Sequence, residues 1–204
     1  MAAAAVARLT ELAIATRNRD KLQEIAHALA GLPLRLLEPP ADYTPPEETG
    51  STCEENALAK ARALTINMGI PVLADDSGLF VDALDGLPGI HSSRFAGPSA
   101  TYADNVNKLL AMMQNVETDK RSAKFVCIMA LVWPHGRFEL VRGECSGQIT
   151  TEPYGSGGFG YDPVFLIPRL GRTFAQMSLA EKESLSHRGR ALAKLAQRLK
   201  KYTS

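Results

Sequence analysis

Residues 71–97, PVLADDSGLFVDALDGLPGIHSSRFAG, constrain this chain more than any other stretch, and the constraint lies in the adjacent Asp75 and Asp76. The apolar run Pro71 to Ala74 reads as a buried strand that ends in two carboxylates, followed by Ser77 and Gly78. Neighbouring anions at the end of a buried strand repel each other, so the fold must bring something positive to them. Oxygen ligands of this kind suit Mg2+, which takes one or two carboxylates, waters and substrate phosphates. Asp, Ser and Gly are also ordinary turn residues, so the pair taken alone fits a polar turn equally well.

At 204 residues the chain can bury one sizeable core, as a single domain over 1–204 or as two closely joined lobes. An apolar share of 45% excludes wholesale disorder. Lys and Arg number 23 against 22 for Asp and Glu, a formal charge of +1, which argues against a protein that coats nucleic acid or an anionic membrane. It leaves room for a local cationic pocket that grips a small anion. Cys53, Cys127 and Cys145 are too scattered for a disulfide framework or a zinc site. No apolar run reaches the ~18 residues of a membrane span. The opening MAAAAVARLTELAIA lacks a basic first segment and is interrupted by Arg8 and Glu11, so no signal peptide is expected. These features together predict a reducing, cytoplasmic setting.

Mixed α/β structure is predicted by the patterning. Leu12 to Ala15 reads as a strand, Thr16-Arg17-Asn18 as a loop, and Leu22, Ile25, Ala26 and Leu29 as the apolar face of a helix that Gly31 ends. After the proline-rich connection Pro39 to Pro46, Thr52 with Glu55 predicts a capping box for a helix running to about Asn67. Thr101 with Asp104 predicts the cap of a third helix. Phe125 to Trp133 reads as a strand, Phe138 to Arg142 as its antiparallel return, and Cys145 to Thr150 as a further strand. The chain closes on a helix with Leu192, Leu195, Ala196 and Leu199 in one stripe.

Four clusters carry candidate chemistry. Thr16, Arg17, Asn18, Arg19, Asp20 and Lys21 lie where a strand gives way to a helix, whose N-terminal N–H groups and partial positive charge favour phosphate. The bland alternative is that Asn18 caps the helix and the cations are solvated. Glu47 and Glu48 precede a helix, as carboxylates often do, yet they are also the second acidic pair that a Mg2+ site would need; Asn56 and Lys60 share a face of that helix beside the small Ala57 and Ala61. Gly155, Gly157 and Gly160 match G-x-G-x-x-G formally. However, Pro153 precedes them and Pro163 disfavours helix at Asp162, so a dinucleotide fold is rejected. A glycine loop bearing Phe159 and Tyr161 suits stacking on a planar base, with Asp162 accepting from ring N–H groups; a β-turn with its aromatics in the core fits as well. Finally, Ser178 with Glu181 caps one short helix and Ser186 the next, leaving Lys182, His187 and Arg188 as a donor-rich wall.

The segments ATRNRDKLQEI, EETGSTCEENALAKA, LADDSGLFVDALDGLPGIHSSRFAG, GSGGFGYDP and AEKESLSHRGRAL resemble, in order, those of the inosine triphosphate pyrophosphatases, also called dITP/XTP diphosphatases. The resemblance covers nearly the whole chain; Arg17 stands where many members have Gly. It implies a homodimeric, Mg2+-dependent enzyme with an elongated mixed sheet flanked by helices and a nucleotide-binding cleft between two lobes. Such an enzyme hydrolyses noncanonical purine nucleoside triphosphates (ITP, dITP, XTP) to the monophosphate and pyrophosphate, with no nucleic-acid or membrane partner. Carried over by residue, Thr16 to Lys21 hold phosphates, with Lys60 beside them. Asp76 is metal ligand and proton acceptor, and Ser77 touches substrate. Phe159, Gly160, Tyr161, Asp162, Lys182, His187 and Arg188 surround the base. Asp75 and Glu47 or Glu48, with the lean to Glu48, complete the metal site. Two further readings remain open on sequence: a non-catalytic nucleotide sensor using the same pocket, and a pyrophosphatase for pyrimidine nucleotides.

Overall fold

The computed structural model describes residues 8–203. Residues 1–7 of the alanine-rich opening, where no signal segment is expected, lie outside the described residues. In chain order the elements are β1 (Glu11–Ile14), α1 (Arg19–Leu29), β2 (Arg35–Leu37), α2 (Cys53–Met68), β3 (Val72–Val81) and β4 (Pro88–Gly89). There follow α3 (Tyr102–Met112), β5 (Ser122–Val132), β6 (Phe138–Ile149), β7 (Phe165–Ile167), β8 (Arg172–Thr173), α4 (Leu179–Leu185) and α5 (His187–Thr203). The strands form one sheet in the order β2-β1-β3-β5-β6-β7-β8, with β4 on β3. Its pairings are parallel at β1–β2 and β1–β3 and antiparallel at β3–β4, β6–β7 and β7–β8. The expected mixed α/β sheet is therefore present. Among the described residues no helix is long and apolar enough to cross a membrane.

The chain divides into two compact units, one of Met1–Asp75, Ile128–Val141 and Ala191–Ser204, the other of Asp76–Cys127 and Arg142–Arg190. In the first, Leu12, Ala13 and Ile14 of β1, Val72 and Leu73 of β3, and Leu192, Leu195 and Leu199 of α5 are all buried. In the second, Leu79, Val106, Leu109, Met113, Phe125, Phe165 and Phe174 form one apolar cluster. The three cysteines are buried and form no disulfide.

Three expectations need correction. The strand at Val72 does not end at the carboxylates but runs through Asp75, Asp76, Ser77 and Gly78 to Val81. Pairing with β1 at one end and β4 at the other overrides the turn preference of those four residues. The two strands expected at Phe138 to Arg142 and Cys145 to Thr150 are a single strand, β6. Helix α2 is capped by Thr52 Oγ1, which accepts from Glu55 N, but the Glu55 carboxylate accepts from Ser51 N, so the box is not reciprocal on Thr52.

The caps at Thr101–Asp104 and Ser178–Glu181 form as the spacing predicts. Glu181 Oε2 accepts from Ser178 N at 2.8 Å and Oε1 accepts from Arg172 at 2.9 Å. The backbone N–H of Ser178 leads, with the Arg172 guanidinium and the Ser178 hydroxyl behind it, in pulling the Glu181 carboxyl from 4.5 down to about 2. A folded-state pKa below the unfolded one means that stabilisation is complete above pH 4.5 and is lost as pH falls towards 2. Urea unfolding of wild type and Glu181→Gln should show a stability gap at pH 6 that closes across this window. A gap independent of pH would assign the effect to packing instead.

Candidate active site

Within the first unit, the turn from β1 into α1 builds one wall of a cavity of about 280 Å³. Asn18 is the N-cap: its Oδ1 accepts from Lys21 N at 3.1 Å, and its own N–H donates to Thr16 Oγ1 at 3.2 Å. This geometry sets Lys21 in the first turn, where its Nζ lies 3.0 Å from Oδ2 of Asp75. The Asp75 side chain is fully buried, so this contact supplies the positive charge that the sequence demands. A second pair, Lys60 Nζ to Glu48 Oε1 at 2.7 Å, lines the same cavity. Buried Ala57 and Ala61 keep that face of α2 small. The cavity thus presents two ammonium groups and two carboxylates on opposed elements, a donor set suited to phosphate oxygens and a hard cation together.

Several expected residues stand elsewhere. Arg17 lines the cavity, but its Nη2 donates to the carbonyls of Pro40, Ala41 and Tyr43 at 2.9, 2.8 and 2.7 Å. The Asn18 side chain serves the cap, the bland alternative to a phosphate contact. Neither Arg19 nor Asp20 lines the cavity. Glu47 is exposed and also outside it, whereas Glu48 is part of the wall. Asn56 is buried and accepts from Gly50 N through Oδ1, holding the approach to α2. Adjacent strand residues leave from opposite faces, so Asp75 and Asp76 diverge. Among the described residues no three His, Cys, Asp or Glu side chains gather as a metal cluster.

The second unit assembles the other candidates. Lys182 of α4 donates to Asp162 Oδ2 at 2.6 Å, with both side chains about 5% exposed or less. The same Oδ2 accepts from Phe159 N at 2.8 Å. Asp162 Oδ2 therefore fixes both the loop and the lysine. Lys182 Nζ sits 4.4 Å and Arg188 Cζ 5.5 Å from the centroid of the half-buried Phe159 ring, so two cations share one aromatic. Arg188 also donates to Ser77 Oγ at 3.2 Å. The buried imidazole of His187 stacks flat on Phe125, 4.5 Å between centroids.

Tyr161 departs from expectation. Its ring is in the apolar cluster and its hydroxyl donates to Ser92 O at 2.9 Å, so it is a core residue and no stacking platform. Burial also raises its pKa. The glycine segment opens no α-helix; a single 3-10 turn, Asp162–Val164, follows with Pro163 in its first turn. Gly158 has φ +68°, and a Cβ there would lie 2.1 Å from Asp162 Oδ2. Gly189 allows α5 to start against α4: a Cβ would meet Glu183 O at 1.8 Å. Ser186 Oγ accepts from Gly189 N at 3.0 Å and caps α5, which orients His187 and Arg188. Sequence reasoning missed Tyr43, a cavity-lining residue whose only sequence signal is its place between two proline pairs.

A sequence model of the Ham1 family matches residues 12–198. The chain belongs to the Ham1 family. Curated relatives named dITP/XTP pyrophosphatase include one from Geobacter sulfurreducens, 48% identical over 94% of this chain and 97% of its own length. Another, from Symbiobacterium thermophilum, is 47% identical over 92% and 94%. Among solved structures, a HAM1 protein from Coxiella burnetii matches with a TM-score of 0.87 and 39% identity, over 95% of this chain and all of that one. A nucleoside-triphosphatase, dITP/XTP pyrophosphatase, from Mycobacterium abscessus matches with a TM-score of 0.75 and 40% identity, over 91% and 98%. The motif resemblance and the Ham1 comparisons thus agree over nearly the whole chain.

Removing one member of a buried ion pair leaves the other charge uncompensated. Lys182→Met should therefore destabilise the protein by about 3–5 kcal/mol in equilibrium denaturation. A loss below about 1 kcal/mol would place the pair with solvent-exposed ones.

Proposed function

We propose that this chain hydrolyses noncanonical purine nucleoside triphosphates to the monophosphate and pyrophosphate. The observation that carries the reading is the match to relatives named dITP/XTP pyrophosphatase along almost their full length. The cavity chemistry supports it: Lys21 and Lys60 offer charge-assisted hydrogen bonds to phosphate oxygens, while Glu48 and Asp75 hold both lysines in place.

Enzymes that split nucleoside triphosphates generally use a divalent metal ion, and the ion we assign is Mg2+. Glu48 and Asp75 fit it, since such an ion takes one or two carboxylates and completes its shell with waters and substrate phosphates. Bound there, Mg2+ would neutralise charge that develops on the phosphates. Asp76, buried in β3, takes the proton of the attacking water in this reading, a role carried over from the family resemblance. The same resemblance assigns the phosphates to the turn from Thr16 to Lys21, where Arg17 takes part through its hold on the Pro40–Tyr43 turn.

The same resemblance assigns the base to Phe159, Gly160, Tyr161, Asp162, Lys182, His187 and Arg188. Arg188 and Lys182 present donors around Phe159, which suit the carbonyl at ring position 6 of hypoxanthine and xanthine. Adenine carries an amino donor there, and donor facing donor leaves buried groups unpaired, a mismatch that can discriminate by ~10⁴ or more. A homodimer and a cytoplasmic location, where the nucleotide pool lies, belong to the same reading.

The defining assay incubates the protein with ITP and Mg2+ and measures products. Inosine monophosphate with pyrophosphate is expected; orthophosphate with the diphosphate would overturn the cleavage site, and no turnover would favour a nucleotide sensor. Asp76→Asn should lower kcat by about 10²-fold or more with the far-UV circular dichroism unchanged. Near wild-type turnover by that folded variant would remove Asp76 from the chemistry. Arg188→Ala should reduce kcat/KM for ITP more than for ATP. Equal losses on both would move base recognition away from Arg188.

A further inference from the structure

The segment between β2 and α2 ends the cavity with a feature that the phosphate reading leaves unused. A tight turn is closed by Tyr43 N donating to Pro40 O at 3.0 Å. The carbonyls of Pro40, Ala41 and Tyr43 all converge on Arg17 Nη2, within 2.9 Å. Proline pairs at Pro39-Pro40 and Pro45-Pro46 restrict the backbone on both sides. Tyr43 is thereby locked into the wall that also carries Lys21, Lys60, Glu48 and Asp75. Its Oη is buried and has no hydrogen-bond partner among the described residues. A phenol hydroxyl withdrawn from water in a polar cavity is costly unless something there accepts its proton.

We propose that Tyr43 is a ligand-binding residue, its hydroxyl donating a hydrogen bond to a phosphate oxygen of a polyphosphate held in this cavity, with Arg17 as its anchor. The anion it serves is the pyrophosphate part of the triphosphate, so the inference rests on the phosphate-binding reading of this cavity. Burial raises the pKa of the phenol, which keeps it protonated and able to donate. The acceptor must be an anion or an oxygen lone pair, since the neighbouring lysines already supply the cations. Arg17, in place of the glycine common at this position, works here through Tyr43 and does not itself hold the phosphate. Its long side chain turns a stretch without regular secondary structure into a fixed wall.

The test is calorimetric titration of the full chain with inorganic pyrophosphate in Mg2+, on wild type, Tyr43→Phe, Arg17→Ala and the double variant. Tyr43→Phe keeps the ring and removes one hydroxyl, so thermal unfolding should be unchanged while pyrophosphate binding weakens about tenfold, the scale of a hydrogen bond to a charged group. Arg17→Ala should weaken binding too, and adding Tyr43→Phe to it should cost little more, as expected for residues acting as one unit. Independent, multiplicative losses would show that Arg17 touches the ligand itself and overturn the anchor. No pyrophosphate binding by wild type, or equal binding by wild type and Tyr43→Phe, overturns the proposal. Hydrolysis of ITP is followed in parallel. A wild type that binds pyrophosphate through Tyr43 yet leaves ITP intact keeps this site and overturns the nucleotide reading instead.

Discussion

A carboxylate enclosed in the middle of a sheet needs a cation, and Asp75 with its fully buried side chain is that carboxylate. Lys21 answers it from the first turn of α1, and much of the first unit follows from putting the ammonium there. Helix α1 must start soon after β1, so the chain has only Ala15, Thr16, Arg17 and Asn18 in which to turn. Asn18 must cap to start it, and Thr16 must brace Asn18. The same cavity repeats the arrangement with Lys60 and Glu48. Pairs of this type contribute little net stability compared with apolar packing. Their value is positional, because an ammonium held by a buried carboxylate has a fixed place and a remaining capacity to donate to an anion.

Local signals were the legible part of the sequence. The caps at Thr101 and Ser178 depend on residues three apart, and the stripes on α1 and α5 on helical periodicity, so both are visible without knowing the fold. The five motif segments also mark the candidate residues in order. What escaped was set by distant partners. Asp-Asp-Ser-Gly looks like a turn until β4 pairs with the same strand. Tyr161 looks like a stacking ring until Ser92, far away in sequence, accepts its hydroxyl. Asp162 gives no sign in the sequence of the Lys182 ammonium that reaches it. Arg17 looks like a phosphate ligand until the Pro40–Tyr43 turn comes to rest on it.

In the second unit the organising element is Phe159. Cations at its ring from α4 and α5, and the Asp162 carboxylate at its backbone N–H, keep a glycine-flanked aromatic in one place. Flexible glycines on their own would let that ring wander, and the contacts to its face and its backbone N–H oppose this. Gly158 gives room to the Asp162 carboxylate and Gly189 to the backbone of α4. Small residues thus act as clearances around a charged framework, while larger aromatics such as Phe125 hold its base against the core.

The boundaries between the two units fall inside β3, β5 and β6 and within α5, at Asp75, Cys127, Val141 and Arg190. Neither unit is therefore a continuous length of chain. The first cannot complete itself before α5 has been synthesised, so its earlier strands must wait for a distant segment. Long loops must close before most of the buried contacts can form, which slows folding and prolongs exposure of apolar strands. The architecture also resists modular shuffling. A cut at any single position leaves at least one unit divided.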